Sequence, residues 1–386
     1  MRVLFASVFV ATAALAGAAA SATTKQPSTS PRLDVFLGGL TCPSAHSCIA
    51  VGGVNLPSMG PFVKVPTSPS VVLRLDRVGT AWSVGSLSQI PSIQGLSAVS
   101  CSSPTNCVAV GERNTRKGLE LPASTSFDGR RWTSALDIPP FNPGAVIYDI
   151  SCVSRSFCVA VGYQRDQAGT ALTLAVRFDG RRWTDMPTPN GPTGNGSDAD
   201  GLNSISCSSD RDCVAVGDYY HNSVDSSLAE DFNGNSWRIV PTPSPGRKTT
   251  VLNSVSCDLM SCMAVGYYDS SHVLIVQERN DRWASVANPS PGRDGGSLDS
   301  VTCLKNGSCI AVGAAVVGHS NEPLVEELRH GAWTLVSAPN VTGQTSFLTK
   351  VSCSVTSACV ALGESSGTVR ILTLVEVSTA GRWHAL

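Results

Sequence analysis

Residues 202–246 read LNSISCSSDRDCVAVGDYYHNSVDSSLAEDFNGNSWRIVPTPSPG, and this stretch decides the fold. Cys207 and Cys213 bracket a short polar loop, with a strand-like run on either side that ends, after Cys213, at Gly217. Asn233-Gly234 is a hairpin signal, because both residues tolerate positive φ. Trp237 then opens a last short run, and a Pro-rich link from Pro241 to Gly246 closes the unit. The pattern predicts four short strands, each turning back on the one before. Helical periodicity is missing, and β-branched and aromatic residues concentrate in the runs.

The unit recurs along the chain with a period of about 50 residues, the signature of a repeat architecture. The 14 cysteines form seven pairs: Cys42/Cys48, Cys101/Cys107, Cys152/Cys158, Cys207/Cys213, Cys257/Cys262, Cys303/Cys309 and Cys353/Cys359. The seven tryptophans fall one per repeat, at 82, 132, 183, 237, 283, 333 and 383. Four-stranded antiparallel units repeated radially make a β-propeller, which leaves only short, protected edges. A β-solenoid would have a shorter period and parallel coils, and the hairpin turns oppose it. The expectation is an all-β, seven-bladed propeller over residues 34–386, with blades at about 34–90, 91–142, 143–196, 197–246, 247–292, 293–342 and 343–386. All repeats share one phase, so each is expected to form a whole blade, with no strand exchanged between the two ends of the ring.

Charge and composition exclude several roles. Of 386 residues 42% are hydrophobic, enough for a large core, and only 15% are charged, against roughly 25% in an average soluble protein. The formal net charge of −1 and the lack of a basic stripe argue against a nucleic-acid partner. Residues 1–22 read as a secretory signal: Arg2, an apolar run from Val3 to Ala16, and the small-residue motif Ala20-Ser21-Ala22. Residues 23–33 read as a flexible segment. No second apolar run of membrane length follows, so the expected product is a secreted monomer, extracellular or in the cell envelope, with no membrane span after cleavage.

In an oxidising compartment the cysteine pairs read as disulfides, one per repeat. Zinc sites favour ligand spacings of two to four and gather four ligands together, whereas these pairs enclose five residues (four in Cys257/Cys262) and lie a repeat apart. Each staple closes a loop worth about 2 kcal/mol by chain entropy.

Function is expected on the face that carries the second-to-third and fourth-to-first strand connections, where the longer and more variable segments fall. Tyr163, Tyr219, Tyr220, Tyr267 and Tyr268 follow the glycine that ends the second strand in repeats three to five, and could pack between blades or form an aromatic platform. His221, His272 and His319 occupy the adjoining connections of consecutive repeats and complete the candidate ligand-binding set. Asp198-Ala-Asp200-Gly201 resembles half of a calcium loop, so calcium at Asp198 and Asp200 is the one cofactor considered; otherwise none is expected. No HExxH pair or phosphate loop is present, and no catalytic residue is assigned.

The segments Leu252-Asn-Ser-Val-Ser-Cys257 and Cys213-Val-Ala-Val-Gly217, with the tryptophan strand and its Pro-rich tail, resemble a repeat of secreted bacterial Cys-pair propeller proteins of no settled activity. The turn Ser126-Phe-Asp128-Gly129-Arg-Arg-Trp132 is distantly similar to the Asp-box of sialidase-like propellers, though the residue between Asp and Gly is missing and no F-R-I-P segment occurs. Kelch-like copper oxidases share the expected shape, but no residue here maps onto their copper ligands. A regular frame with variable, aromatic-bearing connections implies a non-enzymatic binding or scaffold protein for a glycan, a peptide or an envelope protein. The alternative is a carbohydrate-active hydrolase or lyase with carboxylates at the ring centre, for which Asp149, Asp198, Asp200, Asp294 and Asp299 are the candidates.

Overall fold

The computed structural model describes residues 35–54, 69–115, 118–139, 144–191, 199–258, 261–269, 272–289, 294–340, 345–356, 358–366, 371–379 and 382–386. The expected signal and N-terminal segment, residues 1–33, lie outside them. Residues 33–386 form one compact unit. Repeat one supplies β1 (Val35–Ser44), β2 (Ser47–Val54), β3 (Ser70–Val78) and β4 (Ala81–Ile90). Repeat two supplies β5 (Gly95–Ser103), β6 (Asn106–Asn114), β7 (Glu120–Phe127) and β8 (Leu136–Asp137). Repeat three supplies β9 (Val146–Ser154), β10 (Phe157–Arg165), β11 (Ala171–Phe178) and β12 (Trp183–Asp185). Repeat four supplies β13 (Ala199–Ser209), β14 (Asp212–His221), β15 (Val224–Phe232) and β16 (Trp237–Ile239). Repeat five supplies β17 (Thr250–Cys257), β18 (Cys262–Tyr268), β19 (His272–Arg279) and β20 (Arg282–Ser285). Repeat six supplies β21 (Gly296–Cys303), β22 (Cys309–Val317), β23 (Ser320–Arg329) and β24 (Ala332–Val336). Repeat seven supplies β25 (Thr345–Val355), β26 (Ala358–Ser366), β27 (Ile371–Thr379) and β28 (Arg382–Ala385).

Each repeat is an antiparallel meander in chain order, but the expected count of seven separate blades is corrected. The strands hydrogen-bond into six sheets. Five sheets have four strands, and the sixth has eight, because repeats three and four share one double-width blade. The join is a parallel pairing of Ala171, where β11 begins, with Ala199, where β13 begins. A similar bridge, Asp225 to Thr249, links repeats four and five, but it stays outside the named strands. The start of a third strand thus lies beside the entry to the next repeat, and β13 starts early enough to extend the ladder across that junction. Sequence period counts repeats; hydrogen bonding counts sheets.

All seven cysteine pairs are disulfides, and no described cysteine is free. These staples are structural, and the second member of each pair is buried. Cys48, Cys107 and Cys359 are 0% exposed, and Cys158 and Cys213 are 1% exposed. Cys262 and Cys309 are buried as well. The reason is the alternation of the second strand, which turns this side chain into the apolar layer between repeats. There Cys48 packs with Leu75 and Trp82, Cys107 with Ile93, Cys158 with Phe178 and Cys359 with Trp383, each pair within a single cluster. These sulfurs hold the frame and add nothing to a binding surface.

The core lies between neighbouring repeats. Val214, Val216 and Ala229 of repeat four, for instance, pack on Leu252, Val255, Ala264 and Trp283 of repeat five. The last repeat closes on the first in the same way: Ala358, Val360 and Leu362 share a cluster with Val35, Leu37, Ala50 and Trp82. Hydroxyls before the cysteines stitch the first strands together. The Ser100, Ser151, Ser206 and Ser256 Oγ atoms each accept the amide N–H of the following repeat's first cysteine, at 2.9–3.0 Å. Ser352 Oγ accepts the Cys42 N–H at 2.9 Å, which carries the ladder across the closing seam.

Turn chemistry fixes the two faces. At the hairpin between third and fourth strands, Asp128, Asp179 and Asn233 each accept two backbone N–H groups through one side-chain oxygen. Gly129, Gly180 and Gly234 follow them with φ near +90° (+91, +93 and +90). These turns pack with the cysteine loops, as in the Arg77 N–H to His46 carbonyl bond of 2.9 Å. On the opposite face, the link into a repeat meets that repeat's second strand, as in Gln94 N–H to the Glu112 carbonyl, also 2.9 Å.

Candidate functional site at the ring mouth

Every second strand carries a glycine at the same register, for a steric reason. A Cβ on Gly162 would sit 1.9 Å from the Val146 carbonyl oxygen, and one on Gly217 would sit 1.9 Å from that of Gly201. The close approach goes with a register shift in the first strand, so one residue there is left unpaired. Bulges of this kind re-aim a side chain. The unpaired residues are Gly38, Ser97, Tyr148, Asn203, Asn253, Asp299 and Thr349. Several reach across to the next first strand. Ser97 Oγ donates to the Ile147 carbonyl at 2.9 Å, Asn203 Nδ2 to that of Leu252 at 3.1 Å, and Asn253 Nδ2 to that of Leu298 at 2.9 Å. Chemical variety thus enters at the bulge position of a repeated strand.

The arc from repeat three to repeat six has the richest chemistry. The Tyr148 and Tyr163 rings lie 5.7 Å apart, and the Arg165 guanidinium stands 5.6 Å from the Tyr163 ring centre. Tyr148 is 40% exposed, so part of this aromatic surface faces solvent. Asn203 Nδ2 donates to Asp218 Oδ1 at 3.0 Å, and Asn253 Nδ2 to Asp299 Oδ1 at 3.3 Å. Burial raises the Asp218 carboxyl to about 6, against the Asn203 hydrogen bond that opposes the shift; Asp225 and Asp200 add to it. Burial likewise raises Asp299 to about 6, opposed by the Ser297 hydrogen bond and the Lys350 charge. Tyr267 is held above its ordinary value by burial first, and then by the charges of Asp218, Asp225 and Asp299. Tyr148 is raised by burial and then by Tyr163, Asp218 and Glu112. These couplings put the phenols and carboxylates within one electrostatic neighbourhood.

Of the aromatic candidates, Tyr163 and Tyr267 therefore belong to this arc, while Tyr219 and Tyr268 pack against the cores between repeats. Tyr219 packs into the core between repeats three and four, with its ring against Gly191. Tyr220 pairs with Ala199 and Asp225, and His221 with Val224, in a hairpin closed by Asn222 and Ser223 at positive φ. Tyr268 stacks on His272 at 4.8 Å between ring centres. His319 is exposed at the Gly318 turn between β22 and β23. The three histidines stand in separate hairpins, and among the described residues no group of three His, Cys, Asp or Glu side chains could hold a metal ion. Asp198 lies outside the described residues; Asp200 is buried, and its Oδ2 accepts the Gly191 N–H at 2.7 Å. Among the remaining carboxylates weighed for the ring centre, Asp149 accepts from Ser204 Oγ and Ile205 N–H, and Asp294 accepts the Gly318 N–H. Both are tied into the frame, which leaves Asp299 at the mouth. Tyr148, Asn203, Asn253 and Arg165 were not singled out from sequence. For Tyr148, Asn203 and Asn253 the signal in retrospect is a shared position: each follows the leucine or isoleucine of its first strand, as Asp299 does.

No known family model matches the chain, and no curated protein matches it. Solved structures do. YCF48 bound to a D1 peptide superposes with a TM-score of 0.51 at 12% identity, covering 91% of this chain and 93% of that one. A Hadza microbial sialidase gives 0.47 at 10% identity, with 90% and 66% coverage. A polysaccharide lyase, an ulvanlyase bound to a GlcA–Rha3S saccharide, gives 0.48 at 10% identity, with 72% and 80% coverage. No helix among the described residues is long and apolar enough to cross a membrane. The disulfides fit an extracellular protein, and the chain has the fold of a β-propeller, distantly similar to propellers of other kinds.

Proposed function

We propose that the chain is a secreted, non-enzymatic binding propeller that holds a glycan at the ring mouth. The observation that carries this reading is the pairing of the Tyr148–Tyr163 aromatic surface with bulge-presented amides and carboxylates on the adjoining repeats. A tyrosine face suits the apolar face of a sugar ring, and the Asn–Asp pairs, whose amide N–H groups are both used within the frame, offer their oxygens as acceptors to sugar hydroxyls. Oxidised protein screened against a glycan array should give a hit, and Tyr163→Ala should weaken it by about tenfold, or ~1.4 kcal/mol. Binding should also weaken between pH 7 and pH 5, as Asp218 and Asp299 protonate and lose acceptor strength. A hit whose affinity ignores Tyr163 would remove the mouth as the site, and binding of peptides alone would remove the glycan.

A second reading, a polysaccharide hydrolase or lyase, draws on the same two carboxylates. Groups that titrate near 6 are suited to proton transfer at neutral pH. Turnover of the bound glycan, lost in Asp299→Asn with binding retained, is its mark.

A further inference from the structure

The junction between repeats two and three is built differently from the others. Ile138 hydrogen-bonds to the Pro122 carbonyl much as Met186 does to that of Ala175, yet Ile138 lies further along the chain from its tryptophan than Met186 does. The surplus residues lengthen the connection: Ala135 packs against the core, while Ser134 and Leu136 are exposed. Trp132 keeps only a bridge to Phe127, and the fourth strand, β8, shrinks to Leu136 and Asp137. The seam beneath is left open as a cleft of about 980 Å³, continued by a smaller one of about 220 Å³, with Leu136 lining both.

Four guanidinium groups line this opening. Arg113 and Arg182 border the larger cleft, and Arg155 and Arg181 the smaller. Arg113 is tied to Asp137 by a two-pronged ion pair, with Nη2 to Oδ2 at 2.6 Å. Arg182 is exposed and stands 3.4 Å from Asp179. Arg155 and Arg181 are exposed and make no ion pair among the described residues. Asp128, also on the smaller cleft, already accepts the Arg130 and Arg131 amide N–H groups. The seam therefore offers more cationic forks than anions to meet them, together with the Ser92, Ser134 and Asn114 side chains.

We infer that this seam is a second binding site, distinct from the mouth, for an acidic polysaccharide bearing carboxylate or sulfate groups. Guanidinium forks bind such planar or tripodal anions through two hydrogen bonds at once. A groove with guanidinium groups spaced along it suits a chain with charges at intervals. Nucleic acid fits less well, because the one tryptophan lining the cleft, Trp183, is buried and unable to stack a base.

The test uses the oxidised full chain with polygalacturonate, heparin, neutral dextran and single-stranded DNA at two salt concentrations. The expected result is binding of polygalacturonate and heparin that weakens with salt, no dextran binding, and weaker DNA binding. The double variant Arg155→Glu/Arg181→Glu should lose at least tenfold in affinity for polygalacturonate with an unchanged melting point, while Tyr163→Ala binds as the parent does. Hydrogen exchange on the unmodified protein should show added protection at residues 134–139 and 181–183 when polygalacturonate is present. Unchanged affinity in the double variant, protection elsewhere, or DNA bound as tightly as polygalacturonate would each overturn the assignment. Because Tyr163→Ala reads the mouth and the arginine variant reads the seam, either site can fail without the other.

Discussion

At the residue scale, two kinds of polar group sit at depth in this molecule and behave in opposite ways. The serines before the cysteines are satisfied: each hydroxyl accepts an amide from the next repeat, so the polar atom is part of the inter-repeat contact. Glu326 is fully buried in the third strand of repeat six, and among the described residues neither of its carboxyl oxygens has a hydrogen-bond partner. Burial raises its carboxyl from the ordinary 4.5 to about 8, so it is protonated at neutral pH. The sign for stability follows by linkage. Its contribution is fully present below pH 4.5 and is lost as pH rises toward 8, because the unfolded chain ionises first. Glu326→Gln should remove this slope, which is at most about 1.4 kcal/mol per pH unit. Urea midpoints of the two proteins at pH 5 and pH 7.5 check it; parallel midpoints would show that Glu326 ionises freely in the fold.

At the element scale, the glycine of each second strand creates the bulge that presents the mouth residues. Gly217→Ala should cost several kcal/mol, of the order seen for severe overpacking, since backbone blocks the new methyl at 1.9 Å. It should also disturb Asn203 and Asp218, lowering glycan affinity in whatever protein still folds. Thermal unfolding and binding on that variant read both effects, and a change in melting point of a degree or less would remove the steric account. This element was half legible beforehand. The glycine was read as the end of a strand, whereas β14 runs on past Gly217 to His221, and its partner is a carbonyl in another strand, so its effect on the neighbour was hidden. The tyrosine candidates split by strand alternation: Tyr163 is one residue beyond its glycine and Tyr219 two, so one reaches the mouth and the other the core.

At the scale of the whole molecule, closure depends on the first and last repeats meeting as neighbours without exchanging a strand. The Ser352–Cys42 bond crosses that seam. Ser352→Ala leaves the Cys42 amide without its acceptor, at a cost of about 1–3 kcal/mol. A denaturant midpoint equal to the parent's would show that apolar packing alone closes the ring. The cysteine and tryptophan period by itself determined the repeat, the antiparallel meander, the staples and the two faces, because these rest on local spacing and turn chemistry. Tertiary structure alone decided that repeats three and four fuse into one eight-stranded sheet, giving six sheets in place of seven. It alone brought Tyr148, Asp218 and Asp299 into one neighbourhood and opened the arginine-lined seam. The physical reason is common to all three: each depends on how one repeat lies against the next, and a periodic sequence specifies the repeat far more strongly than the contact between repeats.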